Sequence, residues 1–546
     1  MPTTADLIVD GLVRAGVPRL FGVPGGGSNL EVLEAARARG LPFVLCHQEW
    51  AACIMAAVTG DLTGHPGAVL STLGPGVTAS ATGLAHARLD RSPVIYISDR
   101  HPAAVLEYAT HQYVDHAAHV GAIAKGSVTV GAESAAHWVA HAVRLALAEP
   151  RGPVHLDLPA DVAGRSAVPA ATSVAPTPLP PLDGDRVERA AAMIRAARRP
   201  VVIAGLGCRV ADAKWLRAFA EAVPTPVLTT YKAKGAIPDP HPLALGTFTG
   251  GALEEPLVRR ADLIIAFGLD PVELIPRPWS YSAPVLSLTR CPAATPGLPA
   301  PGGGTYFTPA LEVVGEPGAI LEDLAPRILG RVQADWDVAE VDRIRRQRMS
   351  ALEVSVPGLA PHRVVQMTRE LTAAGSIASV DAGAHMFPAT AYWLALEPGE
   401  LLISNGLATM GFALPAAIAA QLVHPDRRVV CFTGDGGLMM VAAELETVAR
   451  LRLPIMIVVL NDEALSLIAV KQEQKGFEGV SMRYAGPDLG ALARAFGLRA
   501  FTATDEATLR TALIGAQSAP GSALIDARID ASGYRRMLEI VRGAPK

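Results

Sequence analysis

The stretch from Arg428 to Asn461 admits few folds. Arg428-Val429-Val430-Cys431-Phe432-Thr433 is an apolar run that reads as a buried strand. Leu438 to Leu451 reads as a helix, and Ile455-Met456-Ile457-Val458-Val459-Leu460 reads as the next, parallel strand. Gly434-Asp435-Gly436-Gly437 stands between the first strand and the helix, and Asn461 follows 26 positions after Asp435. Asp435 and Asn461 are thus predicted at the C-terminal tips of neighbouring strands in one βαβ unit, where open α/β sheets place ligands. The glycines let backbone N–H groups approach a diphosphate at the helix N-terminus. One carboxylate with one amide oxygen makes a sparse, hard, all-oxygen site suited to Mg²⁺ bridged by phosphates. The pattern therefore predicts a metal–diphosphate cofactor. The plain alternatives are a helix N-cap for Asp435 and a turn-forming Asn461.

Strand and helix patterns alternate along the whole chain, which predicts α/β domains with doubly wound parallel sheets. At 546 residues the chain is too long for one core, and three domains are expected. The first, residues 1–165, opens with an amphipathic helix from about Thr4 to Ala15 and the strand Arg19–Val23, and closes with the strand Pro153–Leu158. A linker, Val168 to Asp183, is rich in Pro, Ala and Thr. The second domain, residues 185–340, carries strands at Pro200–Gly205 and Leu263–Gly268 and a Pro/Gly-rich patch from Pro292 to Pro309. A loose polar stretch, Asp335 to Pro361, leads to the third domain, residues 360–546. The first and third look alike in size and rhythm, without a sequence repeat at a fixed period.

Charge narrows the function classes. The formal net charge is −4 with both signs interspersed, so nothing suggests a nucleic-acid or anionic-membrane partner. No apolar run reaches membrane-spanning length, and the N-terminus lacks a basic signal-type region. The five cysteines (Cys46, Cys53, Cys208, Cys291, Cys431) are scattered without ligand spacing and are expected to be reduced and packed in a cytoplasmic protein.

With the spacing from Gly434-Asp435-Gly436 to Asn461 and its flanking strands, the chain resembles the thiamine-diphosphate (ThDP) enzymes. That resemblance implies that Asp435, Asn461 and the backbone carbonyl of Glu463 bind Mg²⁺. A second segment, Glu49-Trp50-Ala51-Ala52-Cys53-Ile54-Met55-Ala56-Ala57 with Thr63-Gly64-His65-Pro66-Gly67, resembles the family's H-E-x-x-A-x-x-M-A and T-G-x-P-G. It implies that Glu49 is the activating carboxylate. Such a group bonds ring N1′ of the aminopyrimidine, favours its imino tautomer and makes the 4′-nitrogen a base towards thiazolium C2. Read from its local sequence, Glu49 is a carboxylate capping the helix it begins. A third segment, Ser404 to Ala417, resembles G-L-G-T-M-G-F-x-L-P-A-A. It implies that Met410 is the wedge beneath the thiamine and that the carbonyl of Ala408 receives the 4′-amino group. Ala408 replaces the usual Gly; a Met among small residues is otherwise core packing. The fourth, Asp381-Ala382-Gly383-Ala384-His385, resembles D-x-G-x-H, which implies that Gly383, Ala384 and His385 approach the diphosphate. A lone loop His is otherwise a surface residue.

Within the family the chain looks like the acetolactate synthase group. Phe21–Gly26, Ser71–Thr78 and Gly152–Pro159 support this, with Gly74-Pro75-Gly76 expected as a tight turn near pyrimidine and substrate. The group's chemistry is decarboxylation of a 2-oxo acid and ligation to a second carbonyl, of an aldehyde or a ketone. His111 and Gln112 match positions near the substrate; the plain alternative is a polar pair at a helix start. Lys125 matches a recurrent Lys and is expected to be structural. There are departures. Gly268-Leu269-Asp270-Pro271-Val272-Glu273-Leu274 stands where anabolic members carry G-A-R-F-D-D-R near flavin, so FAD is not expected. Leu465 to Gln472 lacks the substrate-selecting Trp, and Ala57-Val58-Thr59-Gly60-Asp61 lacks G-Y-A-R. The resemblance also implies a homodimer or dimer of dimers, with Glu49 of one subunit completing the diphosphate site of another. The same fold also serves simple decarboxylases, C–C lyases and non-catalytic cofactor-binding proteins.

Overall fold

A computed structural model describes residues 1–275, 278–292, 295, 305–330, 332, 334–479, 481–518 and 520–543. Most of the Pro/Gly-rich patch 292–309 lies outside the described residues. Among the described residues the chain builds three six-stranded parallel sheets, with helices between the strands. The first sheet holds β1 (Leu20–Val23), β2 (Phe43–Leu45), β3 (Gly67–Ser71), β4 (Val94–Arg100), β5 (Ser127–Thr129) and β6 (Pro153–Pro159) in the order β2-β1-β3-β4-β6-β5. The second holds β7 (Pro200–Ala204), β8 (Val227–Thr229), β9 (Ala244–Thr247), β10 (Leu263–Phe267), β11 (Val285–Thr289) and β12 (Leu311–Val314) in the order β12-β11-β10-β7-β8-β9. The third holds β13 (Ile377–Val380), β14 (Leu401–Ile403), β15 (Val429–Gly434), β16 (Ile455–Asn461), β17 (Arg499–Ala503) and β18 (Ala523–Arg528) in the order β14-β13-β15-β16-β18-β17. The first and third sheets share one strand order, a repeat that the sequence did not display.

Burial on both faces explains why the strands read as unbroken apolar runs. In the second sheet Val202, Ala204, Ile265 and Phe267 enter one core, and Val201, Ile203, Ile264 and Ala266 enter another. The chain divides into two compact units. One comprises Met1–Pro178, Leu414–Asp426 and Met440–Leu453; the other comprises Leu179–Ala413, Arg427–Met439 and Pro454–Lys546.

Two expectations need correction. The polar stretch 335–361 contains a helix, Val338–Ala351. Only Val341 and Arg348 of that helix are buried, so it shows no apolar stripe. Asp337 caps it, and Asp342 pairs along it with Arg345 and Arg346. The helix expected over Leu438–Leu451 is two helices, Asp435–Met440 and Glu444–Arg450. The second of these belongs to the first unit, where the buried Glu444 carboxylate accepts the backbone N–H groups of His47 (2.9 Å) and Gln48 (3.2 Å).

Candidate functional site

In the third sheet the strand order reverses between β13 and β15, so a crevice opens at their C-terminal ends. Asp381 follows β13 there and is fully buried. Its Oδ2 accepts from Gly411 N (3.0 Å) and Thr433 Oγ1 (2.9 Å), and its Oδ1 accepts from Phe412 N (3.0 Å) and Ala382 N (3.1 Å). Burial pushes its carboxyl up to about 6 against these bonds. One side chain thus ties the Ala408–Phe412 segment to the tip of β15. Gly437 must be glycine here, because a Cβ would collide with Asp381 Oδ2. The D-x-G-x-H segment implied no role for Asp381 itself; its four donors become visible only when the segments meet.

His385 is buried, 6 % exposed, and is no surface residue. Its ring packs against the backbone of Gly383 and Gly434, and burial holds its pKa down to about 4. Among the described residues its Nε2 has no hydrogen-bond partner. Ala384 is buried beside it.

Asp435 begins the helix after β15 and Asn461 ends β16, on adjacent strands. Burial raises the Asp435 carboxyl, although the hydroxyl of Tyr484 donates to its Oδ2 at 2.8 Å. Asp462 is raised to about 6 by burial, with the Asp435 charge adding to it. Asn461 is fixed by its Nδ2, which donates to Asp526 Oδ1 at 2.8 Å; its Oδ1 accepts from Glu463 N at 3.2 Å. Glu463 holds a left-handed backbone (φ 54°) and its carbonyl accepts from Tyr484 N at 3.0 Å. Two crowded, destabilised carboxylates beside an oriented amide fit a hard cation. Among the described residues no three His, Cys, Asp or Glu side chains converge on a metal position, so phosphate or water oxygens would have to complete its shell. Met410 is half-buried, and its Cε lies 3.6 Å from where a Cβ on Gly436 would stand, with Leu465 and the Tyr484 hydroxyl alongside. Tyr484 carried no spacing signal and is new to the site, whereas Leu465 opens the stretch noted for lacking the substrate-selecting Trp.

Ala408 has a left-handed backbone (φ 52°), which L side chains disfavour. Ala408→Gly is expected to stabilise the protein by about 1 kcal/mol, read as a higher urea midpoint at unchanged m.

The first unit supplies the other candidates. Glu49 is the first residue of the helix Glu49–Thr63 and is half-buried. Burial raises its carboxyl and outweighs its own backbone N–H. His111 and Gln112 do not start a helix; they form an exposed turn, with Gln112 at φ 55°. The carbonyl of Gln112 abuts Gly74 (φ 53°), where a side chain would clash. Behind that turn lies a buried polar network that the sequence did not reveal. Gly74 N donates to His116 Nε2 at 3.1 Å, and His116 Nδ1 contacts Asp157 Oδ1 at 2.9 Å. Arg100 and Ser98 also bond Asp157, and Ser98 and Ser127 bond the two ring nitrogens of His155. Lys125 donates to the carbonyls of Leu145 and Ala148, a structural role as expected.

Burial pushes the pKa of His155 down to about 4 from an ordinary 6.5. The unfolded chain therefore takes up a proton that the folded one refuses. The contribution of His155 is whole above pH 6.5 and falls away as pH drops towards 4, by on the order of 3 kcal/mol. Urea midpoints should fall across that window, and His155→Gln should flatten the slope even though it lowers the plateau.

Comparison with known proteins defines the class. Residues 381–527 match the thiamine pyrophosphate enzyme C-terminal TPP binding domain, residues 2–119 the N-terminal TPP binding domain, and residues 187–324 the central domain. The chain belongs to the thiamine pyrophosphate enzymes. It is similar to acetolactate synthase of Bacillus subtilis (strain 168), 30% identical across 97% of this chain and 93% of the relative. It is likewise similar to acetolactate synthase isozyme 1 large subunit of Escherichia coli (strain K12), 31% identical across 97% and 94%. The catabolic acetolactate synthase of Raoultella terrigena is 31% identical across 96% and 95%. This chain is a ThDP-dependent enzyme of acetolactate synthase-like sequence. Among the described residues no helix is long and apolar enough to cross a membrane.

Proposed function

We propose that this enzyme decarboxylates a 2-oxo acid and ligates the product fragment to a second carbonyl, using ThDP and Mg²⁺. The observation that carries the reading is the convergence at the tips of β13, β15 and β16. There a raised Asp435 carboxylate, the oriented Asn461 oxygen and the unpartnered His385 Nε2 meet in one crevice. Asp435, Asn461 and the Glu463 carbonyl would hold the cation, whose charge the crowded carboxylates call for. The Glu463 carbonyl would keep its bond from Tyr484 N on one lone pair and offer the other. Gly383, Ala384, His385 and the Gly434–Gly437 backbone would hold the diphosphate. Met410 would press on the cofactor from beneath, and Ala408 would offer its carbonyl. ThDP supplies the electron sink that makes loss of CO₂ feasible. Glu49 would hold a proton at ring N1′, and His111 and Gln112 would face the substrate.

The departure at residues 268–274 speaks against flavin. There the carboxylate of Glu273, buried and raised to about 8, accepts from Leu206 N and Thr230 Oγ1 at the reversal point of the second sheet. A buried carboxyl group in that position occupies ground where a dinucleotide phosphate would lie.

Two chains would complete each site, as the resemblance implies. The test is a panel of 2-oxo acids, pyruvate first, with and without aldehyde acceptors, read by mass spectrometry. A hydroxyketo product from pyruvate supports ligation. Aldehyde alone would reassign the enzyme as a simple decarboxylase, and cofactor binding without turnover would make it non-catalytic.

A further inference from the structure

A cavity of about 140 Å³ lies within the second unit, away from the crevice described above. Its walls come from β9 and the loop after it, from the helix Val338–Ala351, from the helix Met386–Tyr392 and from Val541. The lining is mainly apolar, with Leu253, Met349, Phe387 and Ala391 among its surfaces. Among the described residues four cationic side chains also line it, Lys234, Arg345, Arg346 and Arg348, and one carboxylate, that of Asp239.

The cations are not equivalent. Lys234 is satisfied by Asp239 at 2.8 Å. Arg345 donates to the Asp239 carbonyl at 2.8 Å and pairs with Asp342, which Arg346 also meets. Arg348 is 9 % exposed and sends two N–H groups to the carbonyls of Leu245 and Thr247; its nearest carboxylate, Glu254, is 3.8 Å away. The Nε atoms of Arg345 and Arg348 are both buried without a hydrogen-bond partner. Buried guanidinium N–H groups are costly when unmet. Their residues sit three apart on one helix and so share a face. A mostly apolar hollow with a few convergent polar donors is the usual form of a small-molecule site. A comparable apolar cavity of about 150 Å³ holds one benzene ring.

We propose that this cavity is a binding site for a small monocarboxylate with an apolar body of roughly five to seven carbons. The apolar part packs on Leu253, Phe387 and Ala391, and the carboxylate faces Arg345 and Arg348. The lining shares no residue with the crevice proposed to hold the cofactor, so the occupant is assigned as an effector. The helix Met386–Tyr392 carries Phe387 and Ala391 and begins directly after Gly383-Ala384-His385. An occupant therefore bears on the segment proposed to meet the diphosphate. That coupling rests on the proposed function; the binding itself does not.

The test uses full-length protein with ThDP and Mg²⁺ present and 4-fluorobenzoate as the probe, followed by ¹⁹F NMR. Saturable binding is expected, weakened about tenfold or more in Arg348→Met through loss of the charge-assisted bond. Ala391→Trp, which fills the hollow and leaves Arg348 in place, should abolish it and stands in if Arg348→Met does not fold. Uncharged 4-fluorobenzyl alcohol should bind about tenfold or more weakly. Absence of saturable binding to the wild type, or binding unchanged in Ala391→Trp, overturns the proposal. Because Glu49 plays no part in this cavity, Glu49→Gln should bind the probe like the wild type, which separates this result from any failure of the catalytic reading.

Discussion

Glu49→Gln is expected to lower kcat by about 10²–10⁴-fold while leaving ThDP affinity and thermal stability close to those of the wild type. The side chain opens the helix Glu49–Thr63, where the helix dipole and its own backbone N–H both favour the charged form. Burial wins, and the carboxyl is raised. In the role proposed for it, Glu49 would give a proton to ring N1′ of bound cofactor and take it back. Gln matches its shape and can donate, but it cannot exchange the proton. Folding should be little affected, because no side chain among the described residues pairs with Glu49. The readout is exchange of the thiazolium C2 proton in D₂O, measured alongside turnover. Undiminished turnover in the variant would refute the role. Mixing subunits adds a second readout. If two chains build each site, combining Glu49→Gln with Asp435→Ala chains should restore about a quarter of the sites, because a random mixture yields heterodimers with one intact site each. No recovery on mixing would place Glu49 and Asp435 of one site on the same chain.

Much of this was legible because the informative signals are local. The strands at residues 200–205, 263–268, 428–433 and 455–460 read correctly because both faces of each sheet are buried and the runs are continuous. The placement of Asp435 and Asn461 at strand tips was legible because a βαβ unit fixes where those tips fall. What escaped was set by other means. The helix Val338–Ala351 is held by a cap and charge pairs and shows no periodic apolar face. The buried state of His385 depends on Gly383 and Gly434 closing over its ring, which no window around residue 385 contains. Tyr484 reaches Asp435 across 49 residues, and His116 meets Asp157 across 41. Such pairings follow from strand order, and strand order is the part of an α/β fold that local pattern does not encode.

Asp381 is the residue whose removal should have the largest effect on folding of any substitution in the crevice. Its two oxygens serve the backbone N–H groups of Gly411, Phe412 and Ala382 and the hydroxyl of Thr433, all in a water-free position. Asp381→Ala leaves these donors unmet and is expected to cost about 3–5 kcal/mol. Asp381→Asn keeps the volume, but its amide nitrogen must face either Gly411 N–H or Phe412 N–H, whichever way it turns. Thr433 can rotate to accept; a backbone N–H cannot. A cost of about 1–3 kcal/mol is therefore expected for Asn, smaller than for Ala. Because the chain has more than one compact unit, the comparison is best made on calorimetric transitions, with and without ThDP. The segment released in both variants is the one carrying Ala408 and Met410, so ThDP should raise the transition temperature less than in the wild type. Equal melting and an equal ThDP-induced shift in Asp381→Asn would mean that the Ala408–Phe412 segment is held by something other than this carboxylate.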